Sequence, residues 1–72
     1  MHNFRKKVGK RLRQVRRMKD ISQEALAFNT GNNSQAYISK IETGKLNFSV
    51  DTLGKILKIL EINPKEFFSE IK

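Results

Sequence analysis

The sequence predicts an all-α fold in which five short helices form a single domain over residues 1–72. Three observations predict it. Apolar residues recur every three or four positions, as they do on the buried face of an amphipathic helix. A residue typical of a helix N-cap stands before each of the last four apolar segments. No segment alternates apolar and polar residues in the manner of a half-buried strand.

The first helix is predicted over residues 4–19, and its end at Asp20 and Ile21. Its expected buried stripe consists of five apolar residues: Phe4, Val8, Leu12, Val15 and Met18. Nine of the fifteen basic residues lie in the first nineteen positions, which contain no acid. The remaining faces of this helix are therefore predicted to be positive. Such a surface suits nucleic-acid phosphates, an anionic lipid surface or an acidic protein.

The second helix is predicted from Gln23 to about Thr30, with Ser22 as its N-cap. A serine suits that position because its side-chain oxygen accepts a hydrogen bond from a backbone N–H of the first turn, which has no partner inside the helix. The residues Gly31-Asn32-Asn33 are expected to interrupt the helix, since glycine and asparagine tolerate left-handed backbone.

The third helix is expected to begin after a cap at Ser34 or Asn33 and to end at Thr43-Gly44. Its apolar edge consists only of Ile38 and Ile41. A helix that buries so little leaves most of its surface for another task.

The fourth helix is predicted to begin after Ser49 and to run to about Glu61. Its expected core stripe has four residues: Leu53, Ile56, Leu57 and Leu60. The fifth helix should begin at Pro64, because Asn63 is a good N-cap and proline suits the first helical position. Phe67 in this helix is expected in the core.

The composition excludes several classes of function. The chain has no cysteine, which removes disulfides and cysteine zinc sites, and its one histidine, His2, is expected in a solvated terminus. The seven acids are scattered and no glycine-rich phosphate loop is present, so neither an enzyme nor a site for a metal or cofactor is predicted. No apolar run approaches the ~20 residues of a membrane span, and no signal peptide is apparent, so a cytoplasmic location is expected.

Five segments in register carry a more specific pattern. They are Gly9-Lys10-Arg11-Leu12-Arg13, Ser22-Gln23-Glu24-Ala25-Leu26-Ala27, Tyr37-Ile38-Ser39-Lys40-Ile41-Glu42-Thr43-Gly44-Lys45, Asp51-Thr52-Leu53 and Asn63-Pro64-Lys65-Glu66-Phe67-Phe68. Together they resemble the Cro/repressor-type helix-turn-helix family, also called xenobiotic-response-element-like (XRE-like) regulators. The resemblance extends over nearly the whole chain, from Val8 to Phe68.

The resemblance implies a lambda-repressor-like DNA-binding domain, with the helix-turn-helix at about residues 22–43 and a dimerisation region at about residues 50–72. The expected function is that of a transcriptional regulator that binds a palindromic operator in double-stranded DNA as a homodimer and regulates its own promoter. In size and in the segment 45–49 the chain is similar to restriction-modification controller proteins. Small phage repressors and antitoxins are built alike.

Base contacts are implied for four residues of the third helix: Gln35, Ala36, Ser39 and Lys40. A glutamine offers a donor and an acceptor to the edge of adenine, and an alanine can meet the methyl group of thymine. The segment Gly31-Asn32-Asn33-Ser34 departs from the family by one additional residue. Counting back from Tyr37 nevertheless assigns Ser34 to the cap and Gln35 to the first reading position. The alternative for Gln35 is a solvated surface amide.

Phosphate contacts are implied for seven residues: Ser22, Gln23, Ser34, Tyr37, Thr43, Lys45 and Asn47. Such contacts position a protein on the duplex but do not read its sequence. Gln23 also resembles the family glutamine that braces the reading glutamine. Tyr37 has an equal alternative, in which its ring packs and only its hydroxyl reaches the surface.

The resemblance further implies a structural ion pair between Arg16 and Glu42. The dimer interface is predicted at Ile59, Phe68 and Ile71, because two adjacent phenylalanines can hardly both face one small core. The alternative is that these three residues cover the bottom of the monomer core.

Two protein partners remain open at this stage. RNA polymerase is a partner if the chain activates transcription, and a cognate toxin is a partner if the chain is an antitoxin. In the antitoxin alternative the main task is to neutralise a protein toxin. A third interpretation makes the first helix a membrane-surface anchor, but that helix has no tryptophan and Phe4 is its one aromatic residue.

Overall fold

The computed structural model describes residues 2–31 and 34–71, and no strand occurs among them. The described chain forms five α-helices: α1 His2–Met18, α2 Gln23–Asn29, α3 Gln35–Glu42, α4 Val50–Ile59 and α5 Pro64–Ser69. The predicted all-α class and the order of five helices are confirmed. Within these residues, no helix is long and apolar enough to cross a membrane, and no three histidine or acidic side chains come together in a way that could hold a metal ion.

The four predicted N-caps are present in the structure. The side chains of Ser22, Ser34 and Ser49 accept hydrogen bonds from backbone N–H groups three residues further on, at 3.0, 3.2 and 3.0 Å. Asn63 accepts one from the N–H of Lys65 at 2.7 Å. Each cap satisfies a donor that has no partner inside the helix, which is why these positions begin helices.

The turn between α2 and α3 is described at its two ends. Gly31 has a φ of 81°, as expected for a residue that ends α2. Ser34 caps α3, so Gln35 is the first residue of that helix. Asn32 and Asn33, including the alternative cap, lie outside the described residues, and the additional residue of this turn therefore stays a prediction.

Two predicted helix boundaries need correction. α1 begins at His2 instead of residue 4. α4 ends at Ile59 instead of Glu61, because Glu61 has a φ of 55° and a residue with left-handed backbone cannot continue a helix. Asp20 has the same left-handed conformation, with a φ of 61°, two residues after the end of α1 at Met18.

The core lies where the middle of α1 meets the other helices. Its buried residues are Val8, Leu12, Val15, Leu26, Ala27, Ile38, Ile41, Ile56, Leu57, Leu60 and Phe67. The prediction for Phe67 is confirmed, but those for Phe4 and Met18 are wrong, since these side chains are 50% and 68% exposed. Each lies in the first or last part of α1 and lines an open groove. Leu53 is only partly buried.

Arg11 does not belong to the positive surface that the sequence predicted for α1. Its side chain is buried, with Nε donating to the carbonyl of Phe67 at 3.0 Å and Nη2 to that of Glu66 at 3.4 Å. The guanidinium also lies over the Phe67 ring, 5.7 Å from its centroid. Carbonyls in the last turn of a helix lack intrahelical partners, so Arg11 joins α1 to the C-terminal turn of α5.

Gly9 marks a point where the backbones of α1 and α3 touch. A Cβ atom built at Gly9 would lie 2.3 Å from the carbonyl oxygen of Ile41 and 2.8 Å from that of Glu42. These are backbone atoms, which cannot move aside as the end of a flexible side chain can. Any larger residue at this position must therefore separate α1 from α3.

We expect Gly9→Ala to destabilise the fold by about 2 kcal/mol or more, since overpacking here forces two helices apart. Gly54→Ala is the matched control, because Gly54 lies inside α4 with nothing within 4 Å of a Cβ. Alanine there should stabilise by about 0.5–1 kcal/mol through helix propensity. Urea denaturation followed by circular dichroism measures both. Equal stabilities of the two variants would contradict the close approach of α1 and α3.

Candidate nucleic-acid interface

One face of α3 points outward and the other packs into the core. Ile38, Ile41 and Glu42 are buried. Gln35, Ala36 and Lys40 are exposed and Ser39 is half-buried. This division follows the helical period, because residues three and four positions apart share a face. Of the four predicted base-reading residues, three are therefore exposed to solvent and one is half-buried.

Gln35 is held by a second glutamine. Its side-chain Nε2 donates a hydrogen bond to Oε1 of Gln23, the first residue of α2. Nε2 of Gln23 in turn donates to Oε1 of Glu42 at 2.9 Å. The amides that begin the two helices are thus linked to each other and to the carboxylate that ends α3.

The Glu42 carboxylate also forms a buried ion pair with Arg16. Nε of Arg16 lies 2.6 Å from Oε2 of Glu42, and Nη2 lies 3.2 Å from Oε1. The two side chains are 9% and 2% exposed. Nη1 of Arg16 donates to the carbonyl of Ile21 at 2.8 Å, just before α2. The guanidinium therefore joins α1 to the end of α3 and to the start of α2.

Three of the predicted phosphate contacts lie at exposed ends of helices. Ser22 and Ser34 cap α2 and α3, each accepting a backbone N–H with its hydroxyl oxygen. The oxygen of Ser22 is used as an acceptor there, so its own hydroxyl hydrogen can still be donated to an anion. Lys45 is exposed two residues after Thr43, the C-cap of α3.

Tyr37 and Thr43 are more constrained than the sequence indicated. Tyr37 is partly buried and packs against the core, which accords with the packing alternative for its ring. The hydroxyl of Thr43 lies 3.0 Å from the carbonyl oxygen of Ser39 and 3.3 Å from that of Lys40, and donates to these helix carbonyls. This hydroxyl would have to rotate before it could donate to a phosphate.

Sequence reasoning missed Arg5 as a neighbour of the segment after α3. Its Nη1 donates to Oδ1 of Asn47, and the side chain of Lys6 lies against Gly44. The guanidinium of Arg5 is therefore held beside the predicted phosphate contact Asn47. The cluster of basic residues in the sequence indicated a positive surface, but a partner 42 positions away left no local signal.

The basic residues of α1 do not form one surface. Arg5 and Lys6 lie on the side of α3. A separate groove beside α5 is lined by Lys7, Lys10, Arg11, Arg13, Gln14, Arg17, Met18 and Glu70. Four exposed basic residues of α1 thus line a groove whose lining includes no residue of α3 or of the segment that follows it.

The residues of the predicted dimer interface differ in exposure. Phe68 is 37% exposed, and its ring meets that of Phe67 edge-on with centroids 5.0 Å apart. Ile59 and Ile71 are partly buried and pack against the core, which accords with the alternative that they cover it. Phe68 also lines an apolar groove of about 230 Å³ together with Phe4 and Val50. Sequence reasoning missed Val50, which is 85% exposed.

A helix-turn-helix family model matches residues 12–67 of the chain. The chain is 42% identical to control protein C.BamHI of Bacillus amyloliquefaciens, over 90% of this chain and 80% of that protein. It is 37% identical to control protein C.MunI of a Mycoplasma species, over 100% of this chain and 97% of that protein. Identity to the HTH-type transcriptional regulator PuuR of Escherichia coli is 40%, but this match covers only 33% of PuuR.

The fold is also similar to a solved structure. The crystal structure of the restriction-modification controller protein C.AhdI from Aeromonas hydrophila superposes with a TM-score of 0.84. The two chains are 37% identical, and the match covers 93% of this chain and 96% of the other. The similarity therefore includes all or nearly all of both molecules.

Removing the Glu42 carboxylate should leave Arg16 buried with only the Ile21 carbonyl as a partner. We expect Glu42→Ala to destabilise the fold by about 3 kcal/mol, since an unpaired buried charge is costly. The melting temperature should fall by roughly 10 °C or more. Glu66→Ala is the control, because Glu66 is exposed and its loss should change stability by only about 0.5 kcal/mol. Unchanged thermal stability of Glu42→Ala would refute a structural function of the pair.

Proposed function

This chain belongs to the helix-turn-helix family of XRE-type regulators, and on that premise we propose that it is a sequence-specific transcriptional regulator that binds a palindromic operator as a homodimer. The proposal includes autoregulation, in the manner expected of a controller protein. Two control proteins and one restriction-modification controller protein match nearly the whole chain. Supporting observations come from the exposed face of α3, the positive groups beside it and the apolar surface of α5.

The braced amide of Gln35 is the observation that carries the proposal. A base-reading side chain must be exposed, yet it loses less conformational freedom on binding if the protein already holds it in place. Gln35 is exposed at the first position of α3 and is bonded to Gln23. A solvated surface amide would need no such partner. Within the major groove this amide has the donor and the acceptor that match the adenine edge.

Groups around α3 are suited to the sugar-phosphate backbone. Ser22 and the N-terminus of α2 offer a hydroxyl and the positive end of a helix dipole. Lys45 and Asn47 are exposed beyond the other end of α3. Arg5, bonded to Asn47, adds a guanidinium that prefers phosphate oxygens as partners. These contacts would fix the register in which Gln35 and its neighbours meet the bases.

A dimer follows from the limited reach of one short helix. A single α3 meets only a few base pairs, whereas two related by a two-fold axis read half-sites about one helical turn apart. Such an interface uses the same patch on both subunits. Phe68, 37% exposed beside an apolar groove, supports placing that patch at α5. Ile59 and Ile71 remain in the proposed interface as its partly buried margin.

The first experiment is selection of bound duplexes from a random DNA pool at near-physiological salt with competitor DNA. We expect enrichment of a palindrome whose half-sites lie about ten base pairs apart, the spacing of one turn of the duplex. Enrichment of a single unpaired half-site would contradict the dimer. Retention without any enriched sequence would contradict the proposal and favour the antitoxin alternative, in which the main partner is a protein.

Two substitutions should separate base contacts from phosphate contacts. Gln35→Ala should cost about 1–3 kcal/mol at one base position and relax the preference there. Lys45→Ala should weaken binding to all sequences alike and reduce the salt dependence by about one phosphate. Titrations of the selected operator and its single-base variants at several salt concentrations measure both effects.

Lys58→Ala is a matched control for these two substitutions, since Lys58 is exposed on α4 and is not among the proposed DNA contacts. It should leave the base preference unchanged and reduce the salt dependence less than Lys45→Ala does. If Lys45→Ala altered base preference and left the salt dependence as it was, the assignment of Lys45 to the phosphates would be wrong.

The interface prediction concerns Phe68. Phe68→Ala should dissociate the homodimer at concentrations where the parent protein is dimeric, because it removes the most exposed apolar group of the proposed interface. Sedimentation equilibrium measures the change. Phe28→Ala is the control, since Phe28 is 74% exposed but lies on α2, away from α5. An unchanged dimer in folded Phe68→Ala protein would refute this placement of the interface.

A further inference from the structure

The hydrogen bonds that link Gln35 to Gln23 and Gln23 to Glu42 have a fixed direction from donor to acceptor. A carboxylate only accepts hydrogen bonds, whereas a glutamine amide donates at its nitrogen and accepts at its oxygen. Oε1 of Glu42 accepts from Nη2 of Arg16 at 3.2 Å and from Nε2 of Gln23 at 2.9 Å. Because Glu42 cannot donate, Gln23 must turn its nitrogen inward and its oxygen outward.

The outward oxygen of Gln23 determines the orientation of the next amide. Oε1 of Gln23 accepts a hydrogen bond from Nε2 of Gln35. One N–H of Gln35 is used in this contact, which leaves its second N–H and its Oε1 for a ligand. An acceptor buried at the end of α3 thereby selects which groups the exposed amide presents.

We propose that Glu42 is a positioning residue that sets the hydrogen-bond polarity of Gln35, and that this polarity makes the chain prefer adenine over guanine at the base that Gln35 meets. The inference rests on the proposed DNA-binding function. It goes beyond that function because it assigns base selectivity to a buried residue that touches no DNA.

The chemistry of the two purines decides the preference. Adenine presents the N7 acceptor and the N6 amino donor in the major groove, whereas guanine presents two acceptors, N7 and O6. With the orientation that Glu42 imposes, Gln35 has one donor and one acceptor available, which match adenine. To satisfy both acceptors of guanine the amide would need two outward N–H groups, and one of them is already bonded to Gln23.

The hydrogen bonds from Gln35 to Gln23 and from Gln23 to Glu42 form a relay. Substitution Glu42→Gln should reverse the direction of this relay and keep the shape of the side chain. Nε of Arg16 makes the shorter contact, 2.6 Å to Oε2, so the new amide oxygen should stay at that position. Its nitrogen would then face Gln23, which must turn its oxygen inward and its nitrogen outward, and Nη2 of Arg16 would lose the acceptor that it has at Oε1. Gln35 would respond by turning its oxygen to Gln23, and both of its N–H groups would become available to the groove.

The experiment has one arm without DNA and one with it. In the DNA-free protein, nuclear Overhauser contacts locate the side-chain amide protons of Gln23, which should lie near Arg16 in the parent and near Gln35 in Glu42→Gln. In the second arm, duplex selection is repeated below the unfolding temperature of the variant. At the position that Gln35→Ala identifies, the parent's preference for adenine, about five- to 150-fold, should turn into a preference for guanine.

Glu66→Gln makes the same change of charge at an exposed site of α5. It should change neither the position of the Gln23 amide protons nor the preference for adenine. An unchanged adenine preference in folded Glu42→Gln protein would overturn the inference, as would amide protons of Gln23 that stay near Arg16. A loss of affinity that is equal at every base position would also overturn it, since a merely structural residue has that effect.

A second variant covers the possibility that Glu42→Gln does not fold. Gln23→Met breaks the relay and keeps both members of the ion pair, so the amide of Gln35 can take either orientation. The adenine preference should then fall about fivefold or more at the same position. A retained preference overturns the inference. Failure of the parent to select any sequence would instead refute the proposed function, and the DNA-free arm would still test the relay.

Discussion

The buried pair of Arg16 and Glu42 is the interaction on which the arrangement of α1, α2 and α3 depends. α3 contributes little apolar surface, only Ile38 and Ile41 among its buried hydrophobic residues. Hydrophobic burial alone would therefore hold it weakly at a defined angle. The guanidinium of Arg16 contacts the end of α3 and Ile21, two residues before α2, and Gly9 lets α1 approach α3 closely. Taking both charges out of water is unfavourable, so the pair requires this complete set of partners.

The same carboxylate belongs to the core and to the exposed face. Oε1 of Glu42 is bonded to Arg16 on one side and to Gln23 on the other, and Gln23 is bonded to Gln35. Fold stability and the proposed base recognition are consequently coupled at one atom. A rigid support of this kind reduces the disorder that an exposed amide would otherwise lose on binding a ligand. The same coupling limits which side chains position 42 can hold, because each substitution acts on both properties.

The basic residues that give the chain its net charge of +8 have different positions and contacts in the fold. Arg11 and Arg16 are buried and serve as hydrogen-bond donors between helices. Arg5 and Lys6 lie beside the segment after α3, whereas Lys7, Lys10, Arg13 and Arg17 line a groove next to α5. Only part of the formal charge is therefore close to the face that carries Gln35. A count of cations from the sequence overstates the charge that one duplex would meet.

Local sequence was sufficient wherever the physical cause is local. Ser22, Ser34, Ser49 and Asn63 cap helices through contacts two or three residues away, so the helices begin where those residues predict. The burial of Val8, Leu12 and Val15 follows from helical periodicity. The family resemblance directed attention to Gln35, Gln23, Arg16 and Glu42, although it did not indicate that these four side chains form one connected chain of hydrogen bonds.

Tertiary packing decided what depends on partners far away in the chain. Arg11 is bonded to a carbonyl 56 positions away, and Arg5 to an amide 42 positions away. Phe4 and Met18 continue the apolar period of α1 yet are exposed, because each lines an open groove. The direction of the relay likewise depends on the tertiary structure. A sequence names amides and carboxylates, but which end of an amide faces a neighbour depends on how three helices meet.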